Sequence, residues 1–99
     1  MKKIILFELN EVPFRVLEDY INLNPTSSIA EIYKNSKIFK TFANDIGHLS
    51  PWLTWPTIHR GVNNYKHNIG YFGQDLKEID DEFPPIWKIL TQKKISVGV

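Results

Sequence analysis

The stretch Ile4-Ile5-Leu6-Phe7-Glu8 decides the reading of the fold. Four consecutive apolar residues have the composition of a strand covered on both faces, as in the parallel sheet of an α/β protein. Such a strand hands whatever follows it to the carboxyl edge of the sheet, where open α/β folds bind their ligands. Glu8 is then either a site carboxylate or an acid that marks the strand's exit into water.

Working outward, Val12-Pro13-Phe14 opens a helical pattern. Phe14, Leu17 and Ile21 recur at three and four residues, Val16 and Tyr20 widen the stripe, and the pattern stops before Pro25. Ser28 and Glu31 have capping-box spacing, followed by the apolar face of Ile29, Ile32 and Tyr33. Lys37 to Ala43 mixes β-branched and aromatic residues and reads as a second strand. Ser50 to Gly73 holds all three histidines, with a short helical segment around Thr54 to Arg60, and reads as a loop-rich functional edge. Asp75 to Glu82 reads as an acidic connection. Pro84-Pro85 starts a helix with Ile86, Ile89 and Leu90 on one face, and Ile95, Val97 and Val99 alternate as a final strand. This order predicts an α/β fold, a mostly parallel sheet flanked by helices.

Ninety-nine residues, 42% of them hydrophobic, suit one core rather than two domains. With a strand at Val99 and no helix to cover it, residues 1–99 are expected to be the N-terminal segment of a larger α/β domain, whose exposed sheet edge would promote self-association. The net charge of +1 comes from 12 basic and 11 acidic residues scattered along the chain, a pattern that argues against nucleic acid and anionic lipid as partners. The pairs Lys2-Lys3 and Lys93-Lys94 read as strand-edge solubilisers. No cysteine is present, which excludes disulfides and thiolate metal sites. The first apolar run ends at Glu8, too short for a secretory signal or a membrane span, so the chain is expected to be soluble and cytoplasmic.

Two hydroxyls stand out. Free backbone donors and the positive end of the dipole make a helix N-terminus suited to a hydroxyl that attacks phosphorus. With Thr54 as N-cap, Pro56 falls in the first turn, where proline is tolerated, whereas a helix starting at Pro51 would enclose it. Ser50, directly before Pro51, is the rival hydroxyl, and each has the plain alternative role of a cap. His48, His59 and His67 lie eleven and eight residues apart, without the paired spacing of a helical zinc motif. Trp52 and Trp55 flank this segment, where they either contact a sugar or base or are simply buried, while Trp87 reads as core.

Taken together, these pieces resemble the N-terminal part of the alkaline phosphatase superfamily, and within it the type I phosphodiesterase and nucleotide pyrophosphatase-like hydrolases. There the first strand ends in an acidic metal ligand, the place held here by Glu8. Pro51-Trp52-Leu53-Thr54-Trp55-Pro56 is similar to the segment carrying the nucleophilic threonine, and Gly61, His67 and Ile69 keep the spacing of a following glycine, histidine and aliphatic residue. Residues 85–90 and 94–99 look like the next helix and strand. The resemblance implies an alkaline-phosphatase-like domain and a hydrolase of phosphate esters or diesters that uses two divalent cations, commonly zinc. It implies Glu8 as a metal ligand and Thr54, or else Ser50, as the catalytic nucleophile.

The chain departs from that pattern in three ways. It has glutamate where aspartate is usual, Thr54 lies closer to Gly61 than the family's nucleophile does, and the remaining metal ligands of the family lie beyond residue 99. The fragment alone is therefore expected to be inactive. The alternative is a non-catalytic binding or scaffolding module, and a third reading is a free-standing small interaction domain.

Overall fold

Helices form where the local signals are strongest, and the computed structural model describes residues 3–98. The chain divides into two units, Met1–Thr41 and Phe42–Val99. In the first, α1 (Phe14–Leu23) follows Pro13 and α2 (Ser28–Lys34) follows Ser27. Phe14, Leu17 and Ile21 form the less exposed stripe of α1, whereas Val16 and Tyr20 face water. The turn between the helices is closed by polar groups. The Asn24 amide donates to the Tyr20 carbonyl at 3.0 Å, and Ser27 donates to the Asn24 carbonyl at 2.8 Å while accepting from the Ala30 N–H at 3.3 Å. Ser27, not Ser28, is thus the cap of α2, one residue earlier than the capping-box spacing predicted. Phe14 and Tyr33 join the two helices with ring centroids 6.2 Å apart, and the Lys40 ammonium sits 4.6 Å from the Phe14 ring centroid.

The second unit holds α3 (Pro51–Arg60), α4 (Asn64–His67), α5 (Lys77–Glu82) and α6 (Ile86–Gln92). Its buried residues include Ile69, Asn64 and His67, so its centre is as much polar as apolar. Gly61 ends α3 in the left-handed region at φ +67°, a conformation that glycine adopts without steric cost. The segment expected to be an acidic connection contains α5. Its first turn carries Glu78 and Asp80, which complement the dipole, and Asp75 accepts the Lys77 N–H at 3.0 Å.

The predicted α/β architecture is overturned: among the described residues there is no strand and no sheet. Apolar composition expresses a demand for burial, whereas a strand also needs a backbone partner along its length. Among the described residues, none of the three apolar runs has such a partner. Ile4, Ile5 and Phe7 are 90%, 88% and 79% exposed, residues 37–43 are irregular, and so are residues 95–98. With the sheet go the parallel crossovers, the edge that was to carry self-association and the alkaline-phosphatase-like fold. Lys2 and Val99 lie outside the described residues. No helix among the described residues is long and apolar enough to cross a membrane.

Candidate functional site

The chemistry of the second unit gathers around α3. The helix begins at Pro51 with Ser50 as N-cap, so Pro56 is enclosed by it, contrary to the expectation that Thr54 would be the cap. Proline at the first helical position accounts for this start, because Pro51 has its φ preset for the helix and its missing donor would have been unpaired there. The Ser50 side chain makes no cap hydrogen bond. Thr54, one turn in, donates its hydroxyl back to the Ser50 carbonyl at 3.1 Å. The structure therefore brings the two candidate hydroxyl residues together and gives them different tasks. Ser50 marks the helix mouth, and Thr54 is tied to the backbone.

Beneath them lies a network that the sequence did not announce. Thr57 Oγ1 is 2.8 Å from both carboxylate oxygens of Asp45, 3.1 Å from the Leu53 carbonyl and 3.0 Å from His67 Nε2. The other ring nitrogen of His67, Nδ1, accepts the Ile69 N–H at 3.0 Å. An atom that accepts a backbone N–H carries no proton, so the neutral ring holds its proton on Nε2 and donates it to Thr57. Thr57 in turn donates to Asp45. Desolvation in its fully buried position lowers the pKa of His67, and the Arg60 charge acts in the same direction, against the attraction of Asp45.

This direction of donation excludes a nucleophilic triad at Thr57. A base must offer a lone pair to the hydroxyl, and both ring nitrogens of His67 are engaged otherwise. The cluster is a clamp that holds α3 on the Asp45 segment. Asn64 extends it: its N–H reaches Asp45 Oδ1 at 2.7 Å, its side-chain amide donates to the Ile46 carbonyl at 2.7 Å, and its side-chain oxygen accepts the Ile46 N–H at 3.0 Å. On the far end of α3, Arg60 pairs with Asp80 at 2.7 Å and donates to the Phe83 carbonyl. Asp45, Thr57, Asn64 and Arg60 were missed because their long-range partners are 10 to 23 residues away and follow no fixed spacing. The available signal was the pair Thr54 and Thr57, which places two hydroxyls on neighbouring parts of one helix surface.

Glu8 belongs to the first unit and lies exposed in an irregular segment. Among the described residues, no three side chains of histidine, aspartate or glutamate come together in a way that could hold a metal ion. One carboxylate does not complete a zinc site, which needs three or four ligands. The described residues therefore do not by themselves fit the two cations that the resemblance implies.

The aromatic residues line a separate feature of the same unit. Trp55 and His59 stack with centroids 5.8 Å apart, the His59 ring meets Trp87 edge-on at 5.0 Å, and Trp52 lies 5.1 Å from Phe72. They border a cavity of about 350 Å³. Trp87 thus faces this cavity rather than a sealed core. Comparison of the chain with protein families, with curated proteins and with solved structures finds no match in any of the three.

Proposed function

We propose that the chain contributes the nucleophile-bearing helix of a cytoplasmic hydrolase of phosphate esters or phosphodiesters, with Ser50 as the attacking hydroxyl. The observation that carries this reading is the mouth of α3, where Ser50 is the N-cap of a ten-residue helix and its side chain is not engaged as a cap. There it meets the positive end of the helix, which favours a developing alkoxide and the oxygens of a phosphate, although Pro51 has no N–H and the Leu53 and Thr54 N–H groups are taken by the Ser50 carbonyl at 3.0 Å. Thr54, whose hydroxyl donates to the Ser50 carbonyl, is the weaker choice. Gly61 and His67, two residues of the resemblance, support the helix as its left-handed terminus and as part of the clamp on Thr57. The described residues do not by themselves complete a site for the zinc or other divalent cation that the resemblance implies, and the Ser50 reading stands without assigning Glu8 to one. The isolated chain is accordingly expected to be inactive.

The test is hydrolysis of bis(p-nitrophenyl) phosphate by the full-length protein with zinc or manganese. Ser50→Ala should abolish turnover, while Thr54→Ala should retain most of it. Undiminished turnover in both variants would remove the hydroxyl nucleophile altogether. A binding or scaffolding role is the second reading, favoured by the engagement of Thr54, Thr57 and His67 in structural hydrogen bonds. Stoichiometric metal in the full-length protein would count against it.

A further inference from the structure

We propose that the cavity beside α3 is a binding site for an uncharged aromatic small molecule of one or two rings, independently of whether the protein hydrolyses phosphate esters. Its volume of about 350 Å³ lies within the range of ligand pockets, ~300–1,000 Å³. Trp52, Trp55, His59, Tyr71, Phe72 and Trp87 line it, and rings from three separate stretches of chain therefore converge on one space.

The polar groups of the lining determine the ligand's charge. Arg60 borders the cavity, but its guanidinium is held by Asp80 at 2.7 Å and by the Phe83 carbonyl, so it has been drawn away from any incoming anion. Gln74 also borders it, with both ends of its amide occupied: its oxygen accepts the Gly70 N–H at 2.9 Å, and its nitrogen donates to the Asn68 carbonyl at 2.8 Å. A carboxylate or phosphate entering the cavity would lose its water to meet a cation whose charge is already paired with Asp80. An uncharged ligand suffers no such loss.

Aromatic character follows from the ring geometry. Trp52 and Phe72 are tilted by 48° with centroids 5.1 Å apart, and both are exposed at the rim, where Phe72 is 80% accessible. Deeper in, the His59 ring stacks on Trp55 and takes Trp87 edge-on. A flat guest can continue this tilted and edge-to-face packing, which favours aromatic pairs beyond the area they bury, whereas a saturated ring of equal size gains the area alone.

The experiment titrates the full isotope-labelled chain with p-cresol, cyclohexanol and benzoate, and follows the indole N–H resonances of the three tryptophans, all of which line the cavity. Saturable shifts with p-cresol are expected, with binding about five-fold weaker for cyclohexanol and weaker still for benzoate. Phe72→Ala, at a side chain too exposed to threaten folding, should weaken p-cresol binding by about five-fold. Phe39→Ala, an equally exposed position outside the cavity, should leave it unchanged. Non-saturable p-cresol shifts, benzoate binding as tight as p-cresol, or an unaltered Phe72→Ala titration would each overturn the proposal.

Discussion

Nε2 of His67 lies 3.0 Å from the hydroxyl of Thr57, and the histidine is the donor of that hydrogen bond because its Nδ1 already accepts the Ile69 N–H. The proton order runs from imidazole to hydroxyl to the Asp45 carboxylate. That polarity is the reverse of what an activated nucleophile requires, and it makes the three residues a fastening between α3, α4 and the segment around Asp45.

Replacing Thr57 by valine keeps the shape and removes the link. Asp45 then loses a donor, and His67 Nε2–H points at a methyl group in a buried place. Thr57→Val should lower stability by about 2 kcal/mol, and Thr57→Ser, which keeps the hydroxyl, by less than about 1 kcal/mol. Urea unfolding of both variants checks the order; equal losses would mean that the hydroxyl contributes nothing.

Burial favours the neutral form of His67 and lowers its pKa below the ordinary value of 6.5. As pH falls through that value the unfolded chain takes up a proton that the folded chain refuses, so the unfolded state gains and stability declines. The decline continues until the folded imidazole is protonated as well. Denaturant midpoints between pH 7 and pH 5 should fall more steeply for the native sequence than for His67→Gln. Parallel slopes would show that His67 does not couple to folding.

Pro56 sits inside α3 and supplies no N–H to the carbonyl of Trp52, four residues earlier. Pro56→Ala restores that bond and should raise stability by about 1–3 kcal/mol. A thermal midpoint that fails to rise would mean that the ring's packing against the aromatic cavity outweighs the missing bond.

Gly61 closes α3 at φ +67°, and a methyl group built there would meet nothing within 4 Å. Gly61→Ala therefore isolates the backbone term, and should cost about 1 kcal/mol without any steric contribution. Gly70, which also has open space around it but is not in the left-handed region, is the matched control: Gly70→Ala should be close to neutral.

The helices were legible where the information is local. The stripe of Phe14, Leu17 and Ile21 and the proline pair before Ile86 each lie within one or two turns of what they control, whereas two adjacent serines left the cap of α2 misplaced by one residue, at Ser28 instead of Ser27. The start of α3 was misread because two prolines compete for a first turn, and Pro51 takes it while Pro56 bears the cost. α5 has no sustained apolar stripe, and one of its acids, Asp80, is held by Arg60, twenty residues earlier. The sheet was inferred from apolar runs alone, and such runs carry no information about a pairing partner. At the candidate site, Ser50, Thr54 and His67 could be named from sequence. The donors and acceptors that determine what each can do come from Asp45, Asn64 and Ile69, and these only the folded backbone brings near.

The Asn64 carboxamide holds Ile46 through both its N–H and its carbonyl, as a neighbouring peptide group would. Recognition of main chain in this way is blind to the side chain being gripped. Residue 46 is thus free to drift over generations while residue 64 is not, since aspartate would present acceptors on both arms, and leucine none. A survey of natural variants would meet a fixed amide facing a changeable neighbour.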